Sequence, residues 1–151
     1  MGSIEYISGC KVPEWSGTWT ITDPSSVPYT GSAVSTTVPA YATVPDYCVV
    51  TYTCVSVVGT NSLSEAGVTP LTCADFGGST ITDGSISLAA TSAQYTAKTR
   101  APDVYTITLK ATVTASDIDD AGTNLSEETT VTYTLEDPCG PPTVTAPALF
   151  T

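Results

Sequence analysis

The sequence predicts an all-β chain, an antiparallel two-sheet sandwich of about seven strands with Pro-rich termini. Three observations predict it. Thr is the commonest residue, with 29 copies, and Ser adds 16; Thr is β-branched and suits a pleated, half-wet surface. Two long stretches alternate strictly between apolar residues and Thr. Only 13% of residues are charged, and long Leu/Ala/Glu/Lys runs of helical character are missing; "SLSEAG" offers one helical turn at most. The 151 residues suit one domain with a core of its own.

The elements follow in order. "GTWTITD" (17–23) alternates cleanly and reads as a strand. "PSSVPYTGSAVSTTVPAYATVP" (24–45) carries four Pro, which donate no N–H and belong at edges and in loops. It reads as a long connection with one short edge strand. "DYCVVTYTCVSVV" (46–58) is the strongest strand, and "GTNSLSEAG" (59–67) a turn. "VTPLTCADF" (68–76) reads as a second strand interrupted by Pro70. "GGSTITDGS" is turn-rich, and "SISLAATSAQY" is a strand or an irregular crossing. "DVYTITLKATVTAS" (103–116) and "EETTVTYTLED" (127–137) form the clearest pair, an antiparallel hairpin. Tyr105, Ile107, Leu109, Ala111 and Val113 share one face of the first; Val131, Tyr133 and Leu135 share one face of the second. Period-2 patterning of this kind buries one face and wets the other. "DPCGPPTVTAP" then leaves in extended conformation. Met1 to Ser3 read as a cloning remnant, residues 4–142 as one sandwich domain, and 143–151 as an extended linker or donor-strand tail.

Residues 103–142, with "YTITLKAT", an acidic Gly-containing loop, "VTYTLED" and a Pro-rich departure, resemble the end of cadherin-like and other immunoglobulin-like extracellular repeats. The resemblance implies an immunoglobulin-like sandwich in a tandem, extracellular, non-catalytic role. Cadherins carry an Asp-Asn-Asp linker that binds calcium; here the linker is "EDPCGPP", so calcium between domains in that manner is not implied.

Composition removes whole function classes. Net charge is -11, with only Lys11, Lys98, Arg100 and Lys110 as cations. Nucleic-acid binding needs clustered cations to displace counterions, so nucleic acid and anionic membrane surfaces are not expected partners. The chain has no His, which removes the usual general base and the usual zinc ligand. No run of about 20 apolar residues could span a bilayer, and Tyr6 breaks a myristoylation motif at Gly2.

The loop between the two clearest strands holds the candidate metal ligands. Asp117, Asp119, Gly122 and Glu128 fall at positions 1, 3, 6 and 12 of an EF-hand-like spacing, with Asp120 alongside. Carboxylates clustered on a tight turn are what calcium's six to eight oxygens require. Ala121 and Asn124 break the EF-hand pattern and the flanks are strands, so the alternatives are a non-EF calcium loop and a solvated hairpin tip. No cofactor is required on this reading; calcium is the candidate. "NLS" (124–126) is an Asn-x-Ser sequon, which makes Asn124 a glycosylation candidate on the same loop. Trp15, Trp19, Tyr41, Tyr47 and Tyr52 form either a carbohydrate-stacking platform or core. Repeated Thr-x-Thr arrays suit ordinary wet β-faces; sheet twist of roughly 20° per strand spoils the flat lattice that ice binding requires. No acid pair is singled out for glycoside chemistry, and a Ser nucleophile would lack a His base.

Five Cys with no Cys-x-x-Cys point to disulfides in an oxidising compartment; buried free thiols are the alternative. Cys48 and Cys54, six residues apart on one strand, lie about 20 Å from each other, and a disulfide needs Cα atoms within about 7 Å. Cys54 and Cys73 fall on successive strands, so their pairing is expected. In an immunoglobulin-like topology Cys48 and Cys139 can share one end of the sandwich, which makes them the second expected pair. Cys10 is then the odd one, unpaired or bonded to another domain or subunit.

The functional expectation is a structural or adhesive module of a large extracellular or cell-surface protein, a spacer or contact unit among neighbouring domains. A self-assembling filament or surface-layer subunit is the second expectation, with residues 143–151 completing the sheet of an identical subunit. A small glycan- or calcium-binding module is the third.

Overall fold

The computed structural model describes residues 10, 13–24, 27–28, 33–60, 71–82, 84–88, 104–114 and 124–136. Nine strands run through them: β1 (Glu14–Trp15), β2 (Val27–Pro28), β3 (Val34–Thr37), β4 (Thr43–Val44), β5 (Val50–Thr60), β6 (Thr80–Ile81), β7 (Ser85–Leu88), β8 (Val104–Val113) and β9 (Leu125–Glu136). The one helical element among the described residues is a 3-10 turn, Cys73–Phe76. The chain is β-rich and its sheets are mainly antiparallel; the exception is β2, which lies parallel to β9.

The main sheet has the order β2-β9-β8-β5-β6, and two-stranded pairs β3-β7 and β1-β4 complete the fold. The predicted hairpin is its centre. β8 and β9 pair antiparallel in unbroken register from Val104↔Thr134 to Val113↔Leu125. Every second residue of β8 is buried: Tyr105, Ile107, Leu109, Ala111 and Val113. Val131, Tyr133 and Leu135 of β9 are buried opposite them. Ile86 and Leu88 of β7 close the core from the second layer, where the Tyr133 phenol donates to Ile86 O at 3.3 Å.

β5 keeps this alternation only by slipping once. Its pairing with β8 shifts between Cys54 and Ser56, a bulge that puts two residues of one strand against one of the other. Tyr52 and Cys54 face inward before it and Val57 after it, leaving Val55 and Val58 exposed.

Three expected strands change. Residues 17–23 keep an alternating burial, with Trp19 buried between exposed Thr18 and Thr20, yet join no ladder. Residues 73–76 are a 3-10 turn where a strand was expected. Asp75 closes it: its carboxylate accepts from Thr72 N–H at 2.7 Å and from the Thr72 hydroxyl at 3.1 Å. Gly77 ends it at φ 103°, a left-handed conformation costly for any residue with a Cβ. The turn drives Phe76 into the core, 5.1 Å from the Tyr133 ring in an edge-on arrangement. The Pro-rich segment 24–45 supplies β2, β3 and β4 rather than one edge strand; those strands are two to four residues long because Pro interrupts each ladder.

The disulfide map also departs from expectation. Cys54 and Cys73 are bonded, with Cα atoms 5.8 Å apart. Cys48 is bonded to Cys10 at a Cα separation of 5.0 Å, so the expected Cys48–Cys139 pair does not form and Cys10 is not the odd cysteine. The reason is topological. β1 pairs with β4 (Glu14↔Val44), and this antiparallel pair carries Cys10 back to the turn that holds Cys48. Cys139 lies outside the described residues, beyond β9. Two disulfides of this kind mark an oxidising environment.

Candidate functional site

Among the described residues, an aromatic stack gathers around Tyr41, where the N-terminal segment meets β5. Trp15 stacks on Tyr41 with ring centroids 4.2 Å apart and planes 4° from parallel. Trp19 stacks on the same Tyr41 at 5.8 Å and tilts against Tyr52 at 5.4 Å. β1 positions Trp15, the unladdered segment 17–23 positions Trp19, and β5 positions Tyr52. Trp19 Nε1 donates to Pro39 O at 3.0 Å. The Tyr52 hydroxyl accepts from Tyr41 N–H at 2.6 Å. Trp15 Nε1 is buried without a partner.

The Tyr41 phenol ties this stack to the main sheet. Its oxygen lies 2.8 Å from Glu127 Oε2 and 3.0 Å from Gly17 O, so one phenolic proton serves two acceptors. Burial pushes the Tyr41 phenol above its ordinary range, and the hydrogen bond to Glu127 and that group's negative charge push the same way. At the opposite layer contact, burial likewise raises the Tyr133 phenol; the Thr36 hydroxyl beside it works in the other direction without meeting hydrogen-bond geometry.

Of the five aromatic candidates, four are brought together and one is not. Trp19 and Tyr41 are buried and Trp15 and Tyr52 partly so; their faces are spent on one another, as in core. Tyr47 is 48% exposed and stands apart on a turn. A second, smaller cluster joins Cys10, Cys48 and Val113, with Val50 and Leu125 against it.

The metal candidates fare differently. Asp117, Asp119 and Asp120 lie outside the described residues. Glu128 is on β9, exposed, in register with Lys110. It belongs to the ladder and to the wet face of the sheet. Among the described residues no cluster of three or more His, Cys, Asp or Glu is placed to hold a metal. Asn124 is exposed and immediately precedes β9.

Sequence reasoning overlooked Glu127, whose signal was present. It shares the odd-numbered phase of Val131, Tyr133 and Leu135, so it faces inward, while Glu128 shares the outward phase of Thr130 and Thr132. Asp23 was overlooked too; its carboxylate accepts from Thr132 N–H at 2.8 Å on the outer edge of β9. Gly17 beside Glu127, Asp23 on Thr132 and Val27 paired with Leu135 show one segment tracking β9 in parallel.

Two of the surface grooves among the described residues are large enough to take a ligand group. One of about 420 Å³ lies between segment 20–24 and β3, lined by Thr20, Thr22, Ser35, Thr37 and Pro39. The other, about 390 Å³, is more apolar, lined by Val38, Ala40, Val50, Tyr52 and Ile81. Neither contains an acid or a base. No described helix is long and apolar enough to cross a membrane. Comparison with protein-family models, curated proteins and solved structures finds no match to this chain.

Proposed function

We propose that the chain is a non-catalytic structural or adhesive module of a large extracellular or cell-surface protein, a spacer or contact unit in a tandem array. One observation carries this reading. Cys10 packs with Cys48, Val113 and Leu125, at the end where β8 finishes and β9 starts. The chain then leaves β9 at Glu136, after 12 residues of strand, about 40 Å away at ~3.4 Å per residue. Entering at one end and leaving at the other is the geometry of domains strung head to tail.

The strand order adds support for an immunoglobulin-like sandwich. The short β2 parallel to the last strand, followed by β9-β8-β5 in one sheet, with β3-β7 in the other, is the kind of Greek-key arrangement such sandwiches use. The half-buried carboxylate Glu127 is engaged by Tyr41, which makes it a fastening rather than a free acid or base.

The test is a chain with two copies in series, measured by small-angle X-ray scattering. The maximum dimension should grow by about 40 Å, one strand length, over a single copy. Two copies folded side by side, with little growth, would sink the spacer reading.

A second reading is favoured by the 420 Å³ groove. Segment 18–22 is patterned as a strand but lies outside every ladder, and β3 is paired only with β7. A strand from an identical subunit, residues 143–151, could be added there. Removing 143–151 should then abolish assembly; a full-length chain that stays monomeric at high concentration removes this alternative.

A further inference from the structure

The spacer reading leaves one sequence motif unused, the sequon Asn124-Leu125-Ser126. The chain has two Asn, and Asn61 is followed two positions on by Leu63, so Asn124 alone heads a sequon. Such a triplet is commonplace in a chain this rich in Ser and Thr. What sets this one apart is the way the fold holds it.

β9 begins inside the triplet. Its pairing with β8 ends at Val113↔Leu125, so Asn124 lies just beyond the last rung. Leu125 packs against the cluster of Cys10, Cys48 and Val113, and the Glu127 carboxylate accepts from the Tyr41 phenol at 2.8 Å. These two contacts hold residues 125 and 127 on the inner side. Side chains alternate across a strand, so the residues between them turn outward: Asn124 and Ser126 are both exposed. The acceptor amide and the hydroxyl two residues on therefore stand on one wet side. The middle residue, whose side chain takes no part in the modification, is the one packed inward.

We propose that Asn124 is a modification site and carries an N-linked glycan. The two disulfides mark an oxidising compartment, and the secretory lumen where disulfides form is also where such glycans are added. The donor is a lipid-linked oligosaccharide. The Asn124 amide nitrogen bonds to the anomeric carbon of its first sugar, and that carbon's bond to the lipid pyrophosphate breaks. The pyrophosphate leaves with the bonding pair, and the amide gives one proton to the transferase's base. A bulky, solubilising group of this kind belongs on the surface. At Asn124 it projects away from the Cys10, Cys48 and Val113 cluster and displaces no rung of the sheet. Strand ends open at little cost, so the amide can be reached whether or not the last rung has closed. The inference needs only the compartment that the disulfides mark, not the tandem arrangement, and it stands or falls apart from the spacer reading.

The experiment is secretion of the full chain from a eukaryotic host. On a denaturing gel the chain should run as a slower band that an N-glycan amidase collapses, with Asn124 converted to an aspartate in the peptide map. Asn124→Gln and Ser126→Ala should each abolish the slower band, and Ser126→Thr should keep it. Both loss variants should melt like the amidase-treated parent, as exposed positions allow, which shows that they fold. The glycosylated chain should also retain the Cys10–Cys48 and Cys54–Cys73 bonds. A secreted, disulfide-bonded chain without the slower band would overturn the proposal, as would a slower band that survives Asn124→Gln. Glycosylated protein lacking the Cys10–Cys48 bond would overturn the placement of the sequon beside that bridge, and the proposal with it.

Discussion

Gly59 faces Tyr105 across the β5-β8 ladder, and a Cβ built there would lie 3.0 Å from a Tyr105 ring carbon. Tyr105 is fully buried and cannot swing aside. Gly59→Ala should therefore cost about 1–3 kcal/mol by overpacking, although Ala replaces a flexible residue. Urea denaturation measures this; an unchanged midpoint would mean that the ring does not cover the glycine. The phenols of Tyr41 and Tyr133 make a second prediction. Burial is the leading cause of the upward shift in both, and Glu127 adds to it for Tyr41. A group raised in the folded state contributes stability that is complete below its unfolded pKa, about 10, and is lost as pH rises through the folded value. Melting temperature should thus hold steady to about pH 10 and fall above it. Tyr41→Phe and Tyr133→Phe should each flatten that fall. Glu127→Gln should bring the Tyr41 titration back toward the ordinary phenol range, whereas Glu128→Gln, on the opposite face, should not.

At the scale of elements, the two disulfides close loops of 38 and 19 residues. Chain entropy assigns them about 4 and about 3 kcal/mol respectively. Replacing both cysteines of either pair by Ser should lower stability by roughly these amounts, with the longer loop the costlier loss. Non-reducing peptide mapping should recover Cys10 with Cys48 and Cys54 with Cys73; a peptide joining Cys48 to Cys139 would refute this fold. The elements legible in the sequence were those whose burial follows a simple period. β8 and β9 alternate without interruption, so both their existence and their buried faces can be read off directly. Segment 17–23 has the same alternation, but a strand also needs a partner at hydrogen-bonding distance, and alternation says nothing about that. The turn at 73–76 was hidden because "LTCADF" looks apolar enough for a strand; the Thr72 and Asp75 cap that curls it is a signal of two residues, three positions apart, inside that run. The Cys10–Cys48 bond depends on β1 meeting β4, two strands of two residues each, too short to announce themselves by pattern. The aromatic clasp was half legible. Its members were named from composition, but their mutual stacking and the choice of Glu127 over Glu128 depend on which layer each strand faces.

At the scale of the whole molecule, the core lies between the main sheet and β3-β7, and the N-terminal segment is fastened along the outer edge of β9 by Tyr41, Asp23 and β2. This edge would otherwise offer unpaired backbone to a neighbouring chain. The cross-link from Cys10 to Cys48 gives the molecule a mechanical property. A pull applied through the two ends of the chain passes at Cys10 straight through the sulfur bridge to the start of β5, and leaves along β9. Residues between the bonded cysteines, including β1 to β4, carry no tension while the bridge is intact. In single-molecule stretching, an oxidised copy should lengthen on rupture by about 200 Å less than a reduced one. That is the slack of the 38- and 19-residue loops at about 3.5 Å per residue. In an array, the redox state of these two bridges would set how far each link can extend before the next one bears the load.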